Sequence, residues 1–365
     1  MIKKVLFITP IPRLNVKGGI ASWTSLLIKY GLPEDFKFRI VDISVLKNRN
    51  IFEKNQYSFF SELYRNLRII FNLLKECMFY RPSLVHLNCS LSGYGIIKDC
   101  ILLIITKIFL IPVVVHYRGN LPQKWMSNKY FFFSKFCINF IIKNSNLNLV
   151  MNRRSLSYIN MVSTNKLNNK ILESFIENSI FDIEYKNTNN SHNLNIMFIG
   201  AFTKLKGAIE IIELAKCLLD YKFIVIGKVS NEMNPYLLDS SNNISFLGQM
   251  NHDKLIKFLK KSDVFLFPSH DEGFPNSVLE AMAIGLPVVA CNVGAIPEMI
   301  EQDIGGYVVN VGEVDKMKEH LKNLSLNPEL RKSMGLFNKK KSKENYSYKL
   351  VSNKLVDFYK ILLKI

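Results

Sequence analysis

The chain has 365 residues, 48% of them hydrophobic, enough for two domains with a full core each, which excludes a disordered chain. Its six cysteines are scattered without a C-x-x-C pair, so neither a zinc site nor a disulfide framework is expected, and they read as buried thiols of a reducing cytoplasm. The net charge of +18 belongs to one half: residues 1–170 hold 25 Lys and Arg against 7 Asp and Glu, residues 171–365 hold 23 against 23, and an anionic partner is expected for the first half.

In chain order, Lys3 and Lys4 precede an apolar run at 5–9 that is too short for a signal sequence and reads as a first buried strand. Short apolar runs at 38–43, 84–87, 113–116 and 147–151 then alternate with segments of helical period at 22–30, 61–78, 96–109 and 130–142. That is the pattern of a parallel sheet flanked by helices. The longest apolar segment, 101–115, is interrupted by Lys107 and Pro112 and falls short of the roughly 20 residues that span a bilayer, so a core helix followed by a strand is expected. After an apolar run at 171–176, the polar stretch 186–193 has too little to pack and is placed as the linker. Strand-length runs resume at 195–199, 222–226, 244–246, 264–267 and 288–290, with helices at 209–219 and 254–261, which gives a second doubly wound unit. The tail 346–363 has helical period.

The strand at 264–267 leads into Asp271-Glu272-Gly273-Phe274-Pro275-Asn276-Ser277-Val278-Leu279-Glu280, which sets two carboxylates eight positions apart across a helix start. Glu272 falls in the loop and Glu280 about two turns into a helix ending at Gly285 and Pro287. Backbone N–H groups around Asn276, Ser277 and Val278 lie at the positive helix end, where they can hold a pyrophosphate. A ligand with hydroxyls on both sides of a diphosphate, a sugar nucleotide, uses all three parts.

With the following helix, turn and strand to Ala290 and the segment Val293-Gly294-Ala295-Ile296-Pro297-Glu298, this stretch resembles the E-x7-E signature of the retaining GT-B glycosyltransferases, family 4 in particular. The resemblance implies an α/β fold of the GT-B class, two facing doubly wound Rossmann-like domains with an interdomain cleft. It divides the chain into an acceptor-side domain at 1–185, onto which a C-terminal helix at 346–365 crosses back, and a nucleotide-sugar domain at 194–345. By the same resemblance Glu272 meets the transferred sugar and Glu280 the ribose, with Gly273 and Phe274 inside the donor-binding stretch. Gly200 and Lys206 take the places of the family's first glycine and its diphosphate-neutralising lysine; Ala201 stands where the family has arginine, and Lys204 is the candidate replacement. Gly18 and Gly19 resemble the family's glycine loop, with Arg13 and Lys17 adding charge for donor or acceptor. His116 matches the histidine near the reacting carbon, and Arg118 beside it suits an anionic acceptor. His86 reads as a strand residue with a structural hydrogen bond, and Asn178 resembles a hinge asparagine.

The function implied is retaining, metal-independent hexosyl transfer from a nucleotide diphosphate sugar to a glycan acceptor, lipid-linked by a polyisoprenoid, in capsule or lipopolysaccharide synthesis. No cofactor beyond the donor is implied. An epimerase or hydrolase on the same fold stays open as the alternative. A nucleic-acid-binding protein is disfavoured, because no helix-turn-helix, zinc or RNP-like signature accompanies the lysines. The expected location is cytoplasmic, peripheral to the inner face of the plasma membrane. Arg65, Arg68 and Lys75 on the helix 61–78, and Lys124, Lys129 and Lys135 flanking the aromatic run 130–133, are the expected contacts to an anionic leaflet.

Overall fold

The computed structural model describes residues 2–12, 19–33, 35–44, 59–91, 94–121, 131–183, 193–237 and 241–365. The chain divides into two compact units, Met1–Ser174 with Lys349–Ile365, and Phe175–Tyr348. The division falls ahead of the polar stretch 186–193, of which 186–192 lie outside the described residues.

The first unit holds a six-stranded parallel sheet of order β2-β1-β3-β4-β5-β6, with β1 Lys3–Thr9, β2 Phe36–Asp42, β3 Leu84–Cys89, β4 Val113–Tyr117, β5 Leu147–Val150 and β6 Asn169–Ile171. Its central strands are covered on both faces, which is why they read as unbroken apolar runs and not as alternating ones: Val5 to Ile8 and Val113 to Val115 are all buried. Helices Phe59–Lys75, Tyr94–Ile108 and Phe131–Asn144 follow β2, β3 and β4 and neighbour one another in that order. Right-handed crossovers that all step in one direction along the sheet put them on one face.

The last helix, Tyr348–Leu363, belongs to this unit from Lys349 onward. The Tyr359 hydroxyl lies 2.6 Å from Nδ1 of His86 in β3, and Lys354 donates to Glu173 at 2.7 Å. Burial, helped by the Arg118 charge, pushes His86 down to about 3, so the ring is neutral and its hydrogen bond is structural.

The second unit holds a parallel sheet of order β12-β11-β10-β7-β8-β9, with β7 Asn195–Ile199, β8 Lys222–Ile226, β9 Ile244–Phe246, β10 Val264–Phe267, β11 Val288–Cys291 and β12 Gly306–Val309. The order reverses beside β7, so β7 and β10 leave the sheet as neighbours whose connections run to opposite sides, the switch point at which open α/β sheets bind ligands.

β12 and the helices Arg153–Val162, Val314–Leu326 and Pro328–Tyr346 are among the elements that went unread in the sequence. Val314–Leu326 buries Met317, Leu321 and Leu324, whereas Pro328–Tyr346 buries polar side chains beside Met334 and Tyr346. Arg331 is fully buried and donates through Nη1 to the carbonyls of Leu324 and Ser325, and Asn338 donates through Nδ2 to those of Leu286 and Gly305.

Candidate active site

Two loops at the carboxyl edge of the second sheet make the site. The first leaves β7 through Gly200, whose N–H donates to the Ile226 carbonyl at 3.0 Å, and reaches Thr203. The Thr203 side chain accepts from the Lys206 N–H and so caps a single turn, Lys204–Lys206. Gly207 then closes that turn at φ +79 and starts the helix Ala208–Cys217. A Cβ here would come within 2.2 Å of the Pro268 carbonyl oxygen, so glycine lets this loop lie against the chain leaving β10.

The second loop runs from Pro268 to Pro275, into the helix Asn276–Ile284. The two loops are laced together: the His270 N–H donates to the Leu205 carbonyl at 2.9 Å, and the His270 ring meets Glu210 at 2.5 Å. At the centre, Lys206 Nζ lies 2.5 Å from Glu272 Oε1, and the Ser269 hydroxyl donates to the same oxygen at 2.9 Å. Both partners are partly exposed, so a salt bridge is combined with access to solvent. The two residues expected to serve the sugar and the diphosphate therefore sit side by side.

Lys204 is placed differently. Its side chain is fully exposed, its ammonium sits 4.8 Å over the Tyr236 ring, and the hydrogen bond with Tyr236 raises its pKa. Among the described contacts it serves Tyr236 and Lys206 serves Glu272. The Phe274 ring packs on Tyr346 at 5.3 Å and Val278 is fully buried, so these two offer backbone and not side chain to a ligand. Pro275 gives the helix Asn276–Ile284 no side-chain cap.

Glu280, on that helix, meets Nε2 of His252 at 3.3 Å. His252 begins the helix His252–Leu259, capped by the Asn251 side chain, and was not singled out in the sequence because nothing local marks its reach to Glu280. The hydrogen bond to Glu280 raises the His252 pKa, and the charges of Glu280, Asp253 and Glu177 act in the same direction. A histidine whose folded pKa lies above its unfolded value of about 6.5 stabilises fully below that pH, and the contribution fades as pH rises through the folded pKa. The loss of Tm caused by His252→Gln is expected to be larger near pH 6 than near pH 9; an equal loss at both would remove the pair from the ledger of this unit.

In the first unit, His116 is the fourth residue of β4 and fully buried, its ring 5.4 Å from that of His86 and 6.1 Å from Trp23. Burial, with the charge of Arg118 next, holds its pKa well below the ordinary value. The ring expected near the reacting carbon is packed among aromatic neighbours. The Arg118 guanidinium lies 5.2 Å over the Trp23 ring, and burial lowers its pKa to about 9, which leaves it charged at neutral pH. Gly19 opens the helix Gly19–Tyr30, whereas Arg13, Lys17 and Gly18 lie outside the described residues. Asn178 opens a short turn, Asn178–Asp182, in the second unit.

Sequence reasoning missed Ser269 and the task of Gly294. Gly294, after β11, has φ +53, and a Cβ on it would lie 2.0 Å from the Glu272 carbonyl oxygen; the next N–H, of Ala295, donates to the Gly273 carbonyl at 3.0 Å. The backbone that presents Glu272 is thus set from both sides.

Two six-stranded parallel sheets with flanking helices, and a carboxyl-edge site in the second, define a fold of the GT-B class. The solved structures agree: sucrose-phosphate synthase from Thermosynechococcus elongatus superposes with a TM-score of 0.79 at 13% identity over 99% of both chains. The Anabaena protein HepE, solved in complex with UDP-glucose, gives 0.70 at 14% identity over 97% of this chain and 98% of its own. Residues 180–341, inside the second unit, match the family Glycosyl transferases group 1. The capsular polysaccharide biosynthesis glycosyltransferase CapM of Staphylococcus aureus is 30% identical over 184 residues, 47% of each chain. The chain spans less than half the length of the curated relatives it matches.

Proposed function

We propose that the protein is a retaining, metal-independent glycosyltransferase of family 4 that moves a hexose from a nucleotide diphosphate sugar to a glycan acceptor in cell-surface polysaccharide synthesis. The observation that carries this reading is the Lys206–Glu272 pair beside the start of the helix Asn276–Ile284, with Glu280 on the same helix. In this reading the diphosphate lies between Lys206 and the N–H groups of Asn276, Ser277 and Val278, with Gly200 allowing close approach. Lys206 and the helix dipole neutralise the charge that grows on the leaving diphosphate, and each donor is already oriented, so little reorganisation opposes the reaction. Glu272 accepts hydrogen bonds from hydroxyls of the transferred sugar, and Glu280 from the ribose.

The bond from the anomeric carbon to the diphosphate oxygen breaks as the acceptor oxygen bonds to that carbon on the same face. The acceptor proton passes to a leaving phosphate oxygen. His116 acts through packing at the edge of β4, and Arg118, still charged, is the anion contact for a phosphorylated acceptor. The relatives support the class of product and donor: CapM is a capsular polysaccharide biosynthesis glycosyltransferase, and HepE was solved with UDP-glucose. We place the acceptor on a polyisoprenoid carrier and the protein at the inner face of the plasma membrane.

The test is a panel of nucleotide sugars incubated with and without polyisoprenoid-linked acceptors, with the product anomer read by NMR and parallel reactions in EDTA. Transfer that needs acceptor, gives the donor's anomer and survives EDTA is expected. Turnover of donor alone points to the epimerase or hydrolase, and inversion or loss of activity in EDTA overturns the corresponding part of the mechanism.

A further inference from the structure

The outer face of the three neighbouring helices in the first unit is apolar where a solvated face is expected. On Phe59–Lys75 the exposed positions include Phe60 (76% exposed), Leu67 (55%) and Phe71 (66%), with Leu63 and Tyr64 between them, a stripe at spacings of three and four. The stripe continues past the helix end into Phe79 (77%). Ile104 and Ile108 extend it on Tyr94–Ile108, and Phe133 and Phe136 on Phe131–Asn144. Scattered exposed hydrophobic residues need no explanation, but large ones gathered on adjacent helices of one face do.

Charge decides what covers this face. Residues 100–172 contain ten Lys or Arg and no Asp or Glu. Lys75, Lys135 and Lys143 are exposed on two of these three helices. A second copy of so basic a face would repel itself. Duplex nucleic acid would reward the lysines but gain nothing from Phe60, Leu67 or Phe71, and a single strand could stack bases on the rings but would gain nothing from Leu67, Ile104 or Ile108. An anionic leaflet rewards both, since apolar side chains enter the acyl boundary while basic ones stay among the headgroups. No helix among the described residues is long and apolar enough to cross a membrane.

Two residues expected to touch the leaflet are placed otherwise. Arg65 pairs with Glu62 at 2.6 Å and has Nε buried, and Arg68 has Nε and Nη2 buried, so both guanidinium groups are drawn into the surface. Lys124 and Lys129 lie outside the described residues.

We infer that this face docks the protein on anionic membrane by inserting the apolar stripe headed by Phe60, Leu67 and Phe71, with lysines as the electrostatic guide. Insertion, not charge alone, holds the protein there. Phe60 and Phe133 begin helices that follow parallel strands, so they stand toward the carboxyl edge of the sheet, the edge at which open parallel sheets meet their ligands. The inference gives the membrane part of the proposed function a surface and is independent of the transfer chemistry.

Flotation with vesicles of phosphatidylglycerol and phosphatidylcholine, or of phosphatidylcholine alone, tests it with the full chain, Leu67→Ser/Phe71→Ser, and Lys135→Ser/Lys143→Ser. These positions are exposed, and matching Tm and circular dichroism check that the fold is kept. The wild type is expected to float with anionic vesicles, and the apolar double variant to lose about tenfold or more of that partition in low and in high salt alike. The lysine variant is expected to lose partition in low salt and to approach the wild type in high salt, because the attraction is screened over about 8 Å at physiological ionic strength. Failure of the wild type to float, or equal flotation of the apolar variant, overturns the inference. So does sedimentation showing a wild-type dimer that the apolar variant abolishes without any vesicle binding. A protein that binds vesicles but transfers no sugar would keep the docking face and lose the proposed function.

Discussion

Lys206→Ala and Glu272→Ala are expected to lower kcat/KM for the donor by similar factors, and the double variant to lose little more than either alone. The reason is the 2.5 Å contact between them. In the proposed reaction each residue has its own task, the ammonium at the leaving diphosphate and the carboxylate at the sugar, but each also holds the other in place. Removing the carboxylate leaves Lys206 with the Asp271 carbonyl, 3.5 Å away, and removing the ammonium leaves Glu272 with the Ser269 hydroxyl alone. Hydrogen bonds to charged groups contribute roughly 1.5–3 kcal/mol, so each single variant should lose about tenfold to a hundredfold. Four proteins and one donor titration complete the cycle. Losses that add in the double variant would mean two independent contacts, and wild-type rates in both singles would remove the pair from the mechanism.

How much of this site a reader can take from the sequence depends on whether a residue acts where the chain puts it or where the fold carries it. Glu272 and Glu280 are legible because a strand, a loop and a helix in direct succession fix their separation. Four strands of the second sheet, β7 to β10, fall on the bounds that their runs predict; β10 is buried at every residue, so every residue marks it. Lys206 is legible as a residue at a strand-helix junction, but its contact with Glu272 spans 66 positions and comes from the parallel pairing of β7 with β10. His252 and Ser269 carry no local mark, and each acquires a partner only on folding. The helix Pro328–Tyr346 is opaque for the reverse reason: Arg331 and Asn338 are interior residues whose polarity is satisfied by carbonyls that a periodicity argument cannot see. His116 shows the limit of placing side chains from a strand end. Its position on β4 is where the alternation puts it, while its burial depends on Trp23 and His86, which belong to other elements.

Gly294→Ala is expected to match Glu272→Ala in its loss of transfer, although it touches no ligand. At φ +53 an alanine already pays for a left-handed backbone, about 1 kcal/mol. Its Cβ would also stand 2.0 Å from the Glu272 carbonyl oxygen and within 2.8 Å of that of Gly273, and backbone atoms cannot rotate away as a side-chain end can. The loop must therefore shift. That shift breaks the Ala295 to Gly273 hydrogen bond and moves the Glu272 carboxylate away from Lys206, and misplacement by about 1 Å costs on the order of a hundredfold in rate. Gly312→Ala is the control, since its φ is +84 and its Cβ would meet nothing within 4 Å. The two variants share the backbone strain and differ in the collision. Gly312→Ala should lower Tm modestly and keep kcat, whereas Gly294→Ala should lose kcat about as far as Glu272→Ala while remaining folded at the assay temperature. A Gly294→Ala protein with wild-type kcat would show that the Glu272 loop is not held by this approach.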